Sequence, residues 1–187
     1  QIIVVDNKSS DNTKNLSLKY TQKFFTKGPE RSAQRNFGMI KISKGDFVMF
    51  VDADMMLGPN LIEDCIKFIT EKSYIALHIP EIVLGTNYLS KVRRFERSFY
   101  DGTVIDGARF FYKEKFKQVN GFDESMSGPE DWDIDKKIKK IGNICLLQLK
   151  NNNFQVFKIL ITKQIRIKNI FKEFESLRPH FKKAYKH

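Results

Sequence analysis

Short apolar runs of strand length alternate along this chain with longer segments in which apolar residues recur at helical spacing. Residues 2–5 are β-branched throughout and run into Asp6, which predicts a buried strand ending in a carboxylate. The next stretch, 7–13, is rich in Ser, Asn and Asp and supplies turn and cap groups for a helix to about Tyr20. Residues 23–26 form a short strand candidate, and Gly28-Pro29-Glu30 opens a helix over 31–42 that Lys44-Gly45 ends. The run 47–51 carries no charge and meets Asp52-Ala53-Asp54, so a further buried strand delivers two carboxylates to a sheet edge.

Downstream, Gly58-Pro59-Asn60 opens a helix on which Leu61, Ile62, Cys65, Ile66, Phe68 and Ile69 form an apolar face. Residues 74–84 predict a strand broken at Pro80, and 88–100 a helix carrying Lys91, Arg93, Arg94 and Arg97. Residues 103–112 form an extended run whose small Gly107 and Ala108 let a ligand come close. A short helix at 114–119, a helix entered through Gly128-Pro129-Glu130-Asp131 and running to about Lys140, and a strand at 144–149 complete the pattern. No repeat recurs.

Composition narrows the class. The length of 187 residues suits one domain with a core of its own. No uncharged apolar run approaches the ~18 residues that a bilayer span requires, and no signal-peptide order opens the chain, so a soluble or peripheral protein is expected. Cys65 and Cys145 lack metal-ligand spacing, which fits reduced thiols in a cytoplasmic protein. Charge is uneven: from Lys150 onward ten Lys and Arg face Glu173 and Glu175, so +8 of the formal +11 lies there and residues 1–149 are near balance. That basic segment, interleaved with Phe and Ile, suits an anionic membrane surface better than nucleic acid, and a solvated basic helix explains it equally well.

The candidate chemistry is acidic and cationic. Asp52 and Asp54 at a strand end are positioned to hold a divalent cation, or alternatively to cap the helix near Pro59. Arg31 and Arg35 lie four apart on one helical face and offer bidentate donors to an anionic ligand, with surface ion pairs to Glu30 or Asp46 as the plainer reading. Asp131, at a helix start, is either a reactive carboxylate or a cap. Trp132 either offers an aromatic face to a ligand or packs in the core.

Three blocks carry a resemblance: residues 2–7 through Ser9, Asp11 and Thr13; Arg35-Asn36 followed by Gly45-Asp46 and Asp52-Ala53-Asp54; and Gly121-Phe122-Asp123-Glu124 followed by Glu130-Asp131. In this order and spacing, over residues 1 to about 149, the chain resembles the family 2 glycosyltransferases of GT-A fold. The resemblance implies an α/β fold with a mainly parallel, twisted sheet and helices on both faces. A donor half would cover about 1–58, an acceptor half about 59–149, and the basic segment 150–187 would follow. It further implies transfer of a sugar from a nucleotide-diphosphate donor to a glycan or lipid-linked hydroxyl, usually with inversion, at the cytoplasmic membrane face.

Residue by residue, the match makes Asp6 the partner of a base N–H, and Arg35, with Arg31 and Asp52, donor contacts. Asp54, with Asp52, would ligate Mg²⁺ or Mn²⁺. Glu130-Asp131 is the acidic pair whose second member serves as general base. Trp132 and Gly107 fall on the acceptor side. A cation matters here because two unit charges ~4 Å apart repel by about 4 kcal/mol at an effective dielectric near 20. The chain departs from the family in two ways. The family's first strand and helix, which would precede Gln1, are absent, so a fragment of a longer protein is expected. No His lies between His78 and His180, where many relatives place a metal ligand. A nucleotidyltransferase using a metal–nucleotide complex, and an inactive module that binds a membrane or partner, are the competing readings.

Overall fold

The computed structural model describes residues 1–85, 87–100, 102–103, 107–126, 128–147 and the strand at 156–159. The basic segment from Lys150, apart from the backbone of that strand, lies outside the described residues, and so does the stretch directly after residue 147 in which the family's metal-binding His would fall.

The chain opens with β1 (Val4–Asp6), α1 (Thr13–Ser17), β2 (Phe24–Thr26) and α2 (Arg31–Asn36). β1 and β2 pair in parallel, as βαβ connectivity demands. The helix expected over 31–42 is present with a change of winding. Beyond Asn36 it continues as a π-helical turn, Phe37–Ile42, closed by Ser43 N–H donating to the Gly38 carbonyl at 3.0 Å. Single π turns of this kind gather at functional sites. β3 (Phe47–Met49) and β4 (Met55–Leu57) flank the acidic triplet, and α3 (Leu61–Lys72) follows. The strand broken at Pro80 resolves into β5 (Ala76–His78) and β6 (Glu81–Leu84). Then come α4 (Tyr88–Arg97), β7 (Ala108–Tyr112), α5 (Lys113–Gln118), α6 (Glu130–Lys139), β8 (Ile144–Leu146) and β9 (Val156–Ile159).

The central sheet has the order β3-β7-β5-β8, and a second sheet the order β4-β9-β6. The expectation of a mainly parallel sheet is corrected here. Among the described residues three pairings are parallel (β1·β2, β5·β8, β6·β9) and three antiparallel (β3·β7, β5·β7, β4·β9). The reason is β7, which lies between β3 and β5 and runs against both. Helices do cover both faces. Strand side chains alternate sides, so Val48, Ala76 and Phe111 pack with Met39, Phe116, Ile134 and Ile138 of the π turn, α5 and α6. Leu77 and Phe110 pack with Leu61, Cys65 and Ile69 of α3 on the other side. Burial pushes the Cys65 thiol up to about 12, and both cysteines are free. β4 and β9 escape the sequence pattern because each is three or four residues long and is defined by its partner.

Two features aim this scaffold. The β5·β7 register shifts between Leu77, opposite Phe110, and His78, opposite Ala108, which leaves Arg109 as the extra residue of a bulge. A bulge re-aims the side chain it carries. At the end of α2, buried Asn36 clamps the loop before α6: its amide donates to the Phe122 carbonyl at 2.8 Å and to Glu124 at 3.0 Å, and its oxygen accepts from Phe122 N–H at 2.9 Å. Gly121, with φ of 62°, leaves the room; a Cβ there would fall 2.4 Å from the Asn36 oxygen.

Asn36→Ala strands the buried Phe122 N–H and carbonyl together, and is expected to lower the unfolding free energy by about 2–4 kcal/mol in urea titration. A loss below about 0.5 kcal/mol would show that the clamp adds nothing to the fold.

Candidate active site

The carboxyl ends of β3 and β5 and the beginning of antiparallel β7 converge at one end of the central sheet, the place where open α/β folds gather ligands. The short helix α2 and the start of α6 meet them there. Arg35 stands at the junction. One of its terminal nitrogens lies 3.0 Å from Asp52 Oδ1 and the other 3.2 Å from Asp131 Oδ1. Its guanidinium carbon sits 4.0 Å above the Phe50 ring centre, so a nearly buried cation is held by two carboxylates and an aromatic face.

Around it charges alternate. Arg31 Nε lies 2.5 Å from Glu130 Oε1, and Arg35 approaches the same oxygen at 3.6 Å. Glu130 Oε2 accepts from Gly128 N–H at 2.8 Å. On the far side of Asp52, its Oδ2 is 3.4 Å from Arg109, whose Nε reaches Glu81 Oε1 at 2.6 Å. Arg97 completes the run at 3.0 Å from Glu81 Oε2. Buried charges are tolerated in proteins when paired and hydrogen-bonded in this way.

The acidic pair divides into two kinds of carboxylate. Glu130 is 0% exposed and enclosed by its arginines, whereas Asp131 keeps 23% of its side chain open. Burial pushes the Asp131 carboxyl above its ordinary value; Arg35 opposes that and Glu130 adds to it. Asp131 is in the first turn of α6, but the cap position belongs to Pro129 with no side-chain bond, so the aspartate's partner is Arg35 and not the helix end. Gly107, with φ of 65°, lies against it: a Cβ at 107 would come within 2.9 Å of Asp131 Cβ. The close approach that this glycine permits in the structure is that of Asp131.

Arg31, Arg35, Asp52, Glu130, Asp131 and Gly107 are thus brought together; Asp54 and Trp132 adjoin Asp52 and Asp131 along the chain, and Asp6 pairs with Ser9 rather than with any of them. Asp6 ends β1 and accepts from the Ser9 N–H at 2.9 Å and hydroxyl at 2.5 Å, while α1 is preceded by Asn12. Its neighbour Val5 accepts from Gln34 of α2 at 3.3 Å, which ties β1 to the arginine helix. Asp54 is half-buried in the turn that Met55 N–H closes onto the Asp52 carbonyl at 3.1 Å, and the cap position of α3 is Asn60. Trp132 is exposed beside Asp131. Arg109 and Glu81 were not singled out from the sequence. Their signal was legible: each is a charge beside a run of apolar strand residues, where burial demands a partner.

The sequence profile of glycosyl transferase family 2 matches residues 1–126. The O-antigen chain rhamnosyltransferase WbaN of Salmonella anatum is 23% identical over 152 residues, covering 70% of this chain and 48% of that protein. Among solved structures, residues 1–349 of TarS from S. aureus superpose with a TM-score of 0.65 at 22% identity, over 85% of this chain and 51% of that one. The mannosyltransferase PcManGT from Pyrobaculum calidifontis, in complex with GDP-Man and Mn²⁺, gives 0.57 at 16% identity, over 100% of this chain and 55% of that one. The chain therefore spans about half the length of these relatives. With the profile covering well over half of its residues, and the acidic strand end, the arginine helix and the acidic pair gathered at one sheet end, the chain belongs to glycosyl transferase family 2.

Proposed function

We propose that this chain forms the donor-binding and proton-accepting part of an enzyme that moves a sugar from a nucleotide-diphosphate donor to a hydroxyl of a glycan or lipid-linked acceptor. The observation that carries the reading is Arg35 suspended between Asp52 and Asp131. It sets a cation for a diphosphate beside a partly open carboxylate suited to a proton. A TarS structure in complex with UDP-GlcNAc, and PcManGT with GDP-Man, support a nucleotide sugar as the class of donor.

In this reading Asp6 accepts from an N–H of the donor base, and Arg35 and Arg109 face the diphosphate, held in place by Asp52. Glu130 positions Arg31 and Arg35, and Asp131 is the base. The acceptor oxygen attacks the anomeric carbon from the face opposite the diphosphate and gives its proton to Asp131. The bond from the anomeric carbon to the diphosphate oxygen breaks, its electron pair leaves with the nucleoside diphosphate, and the sugar is inverted. Trp132 and Gly107 border the acceptor side.

Among the described residues no cluster of three His, Cys, Asp or Glu forms a cage for a metal ion. Mg²⁺ or Mn²⁺ does not require one, since such ions are held by one or two carboxylates together with substrate phosphates. Asp54, in the turn that follows β3, would hold such an ion together with Asp52, whose two oxygens also face guanidinium groups. Bound there, the ion would offset charge on the leaving diphosphate.

Asp131→Asn is expected to leave a folded protein that binds donor normally and turns over at least ~100-fold more slowly, because an amide cannot take the proton. Near wild-type turnover would remove Asp131 from the mechanism. Asp54→Asn is expected to abolish the part of donor-induced thermal stabilisation that needs Mn²⁺, in a panel that includes UDP-GlcNAc and GDP-Man. Retention of that part in full would rule out Asp54 as ligand.

The raised Asp131 carboxyl sets a pH dependence as well. A base works deprotonated, so kcat is expected to rise with pH on a limb above the ordinary carboxylate range. Arg35→Gln removes the largest of the influences that lower this carboxyl, leaving those of Arg109 and Arg31, so the limb should move to higher pH. Movement to lower pH would contradict the assignment.

A further inference from the structure

α4 carries its polar groups inward and its apolar groups outward. Arg94 donates to the Val83 carbonyl and to the Gly85 carbonyl, each at 2.8 Å, and Arg97 pairs with buried Glu81 at 3.0 Å. Ser90 is buried on the same side, and its N–H is capped by Asn87 at 2.8 Å. Gly85, where a Cβ would fall 2.2 Å from Ser90 Oγ, lets the helix lie this close to β6. These contacts fix the rotation of the helix. At about 100° per residue, Tyr88, Leu89, Val92 and Phe95 then fall on one arc of about 120° opposite the anchored arginines, an arc that also takes in Glu96, and Phe99 follows in the turn just beyond the helix. Leu89 is 69% exposed, Phe95 70% and Phe99 65%, and the two Phe rings meet edge to face at 5.1 Å.

Single exposed apolar residues are ordinary on protein surfaces. A whole helical face turned outward while its cations grip the interior is different. Its edges carry exposed Lys91 on one side and exposed Arg93 on the other. The one acid of the helix, Glu96, is neutralised by Arg93 at 2.6 Å. We propose that α4 is an in-plane membrane helix, and that its apolar face enters the interfacial layer of an anionic lipid bilayer. The charge favours this occupant over a second copy of the chain: with Arg93 and Glu96 paired, Lys91 leaves this surface net positive, and on a chain of formal net charge +11 it meets repulsion in its own image and attraction in anionic headgroups. The geometry favours lying over spanning, since no described helix is long and apolar enough to cross a membrane.

The test uses vesicles of phosphatidylcholine alone or mixed with phosphatidylglycerol. Phe95→Ser/Phe99→Ser replaces exposed side chains, so the fold should be retained, and partitioning to the mixed vesicles is expected to fall at least about tenfold. Moving the single Trp by Trp132→Phe/Phe95→Trp should give fluorescence that is quenched by brominated chains of the mixed vesicles. Trp132→Phe/Glu71→Trp, on the exposed side of α3, should not be quenched. Unchanged partitioning of the double Ser variant, or absence of quenching in the Trp132→Phe/Phe95→Trp variant, overturns the proposal and leaves any lipid binding to another part of the chain. A wild-type dimer in sedimentation equilibrium that Phe95→Ser/Phe99→Ser makes monomeric also overturns it, and assigns the face to a second copy.

Discussion

One guanidinium group, that of Arg35, holds the functional end of this molecule together. It connects α2 to the turn after β3 through Asp52 and to the start of α6 through Asp131, and it rests on Phe50. Removing one member of such a nearly buried set leaves the others with uncompensated charge, which costs far more than an exposed ion pair returns. Four carboxylates, Asp52, Glu81, Glu130 and Asp131, approach one another here because Arg31, Arg35, Arg97 and Arg109 alternate with them. The next residue after Arg35 extends the same constraint: Asn36 fastens the Phe122 loop, so α2 grips the segment leading into α6 at two successive positions.

Local irregularities supply the geometry that regular elements lack. The bulge at Arg109 turns a cation out of an otherwise apolar strand toward Asp52 and Glu81. The π turn after Asn36 brings Gly38 against β1, where a Cβ would touch Val5 at 3.3 Å, and so packs the arginine helix close to the strand that ends in Asp6. Each device departs from ideal pairing beside the site while its neighbours stay in the apolar cores, Met39 of the π turn and Ala108 in one and Phe110 in the other.

Glu81 joins the site to the outer surface. One of its oxygens takes Arg109 of the charge run and the other takes Arg97 of α4, so the helix with the outward apolar face is anchored on the same buried carboxylate that steadies the cation beside Asp52. The position of α4 and the arrangement of Arg35 and Arg109 are therefore set by shared partners.

Much of this was determined by the sequence alone, because it rests on local physics. β-branched runs, helical periodicity and Gly-Pro punctuation place most of the strands and helices, and the charge-free run before Asp52 places the acidic turn at a strand end. The four-residue spacing of Arg31 and Arg35 puts both on one helical face, and both do reach the acidic pair. Tertiary structure decided what depends on partners distant in the chain. Nothing local makes β7 antiparallel to β3 and β5, inserts β9 between β4 and β6, or gives both oxygens of Asp52 to arginines 17 and 57 positions away. Periodicity likewise shows that α4 is amphipathic but not which face turns inward. Hydrophobic burial by itself would have turned the leucine and phenylalanine side in; the buried Glu81 carboxylate and the Val83 and Gly85 carbonyls required cationic donors, and that requirement prevailed.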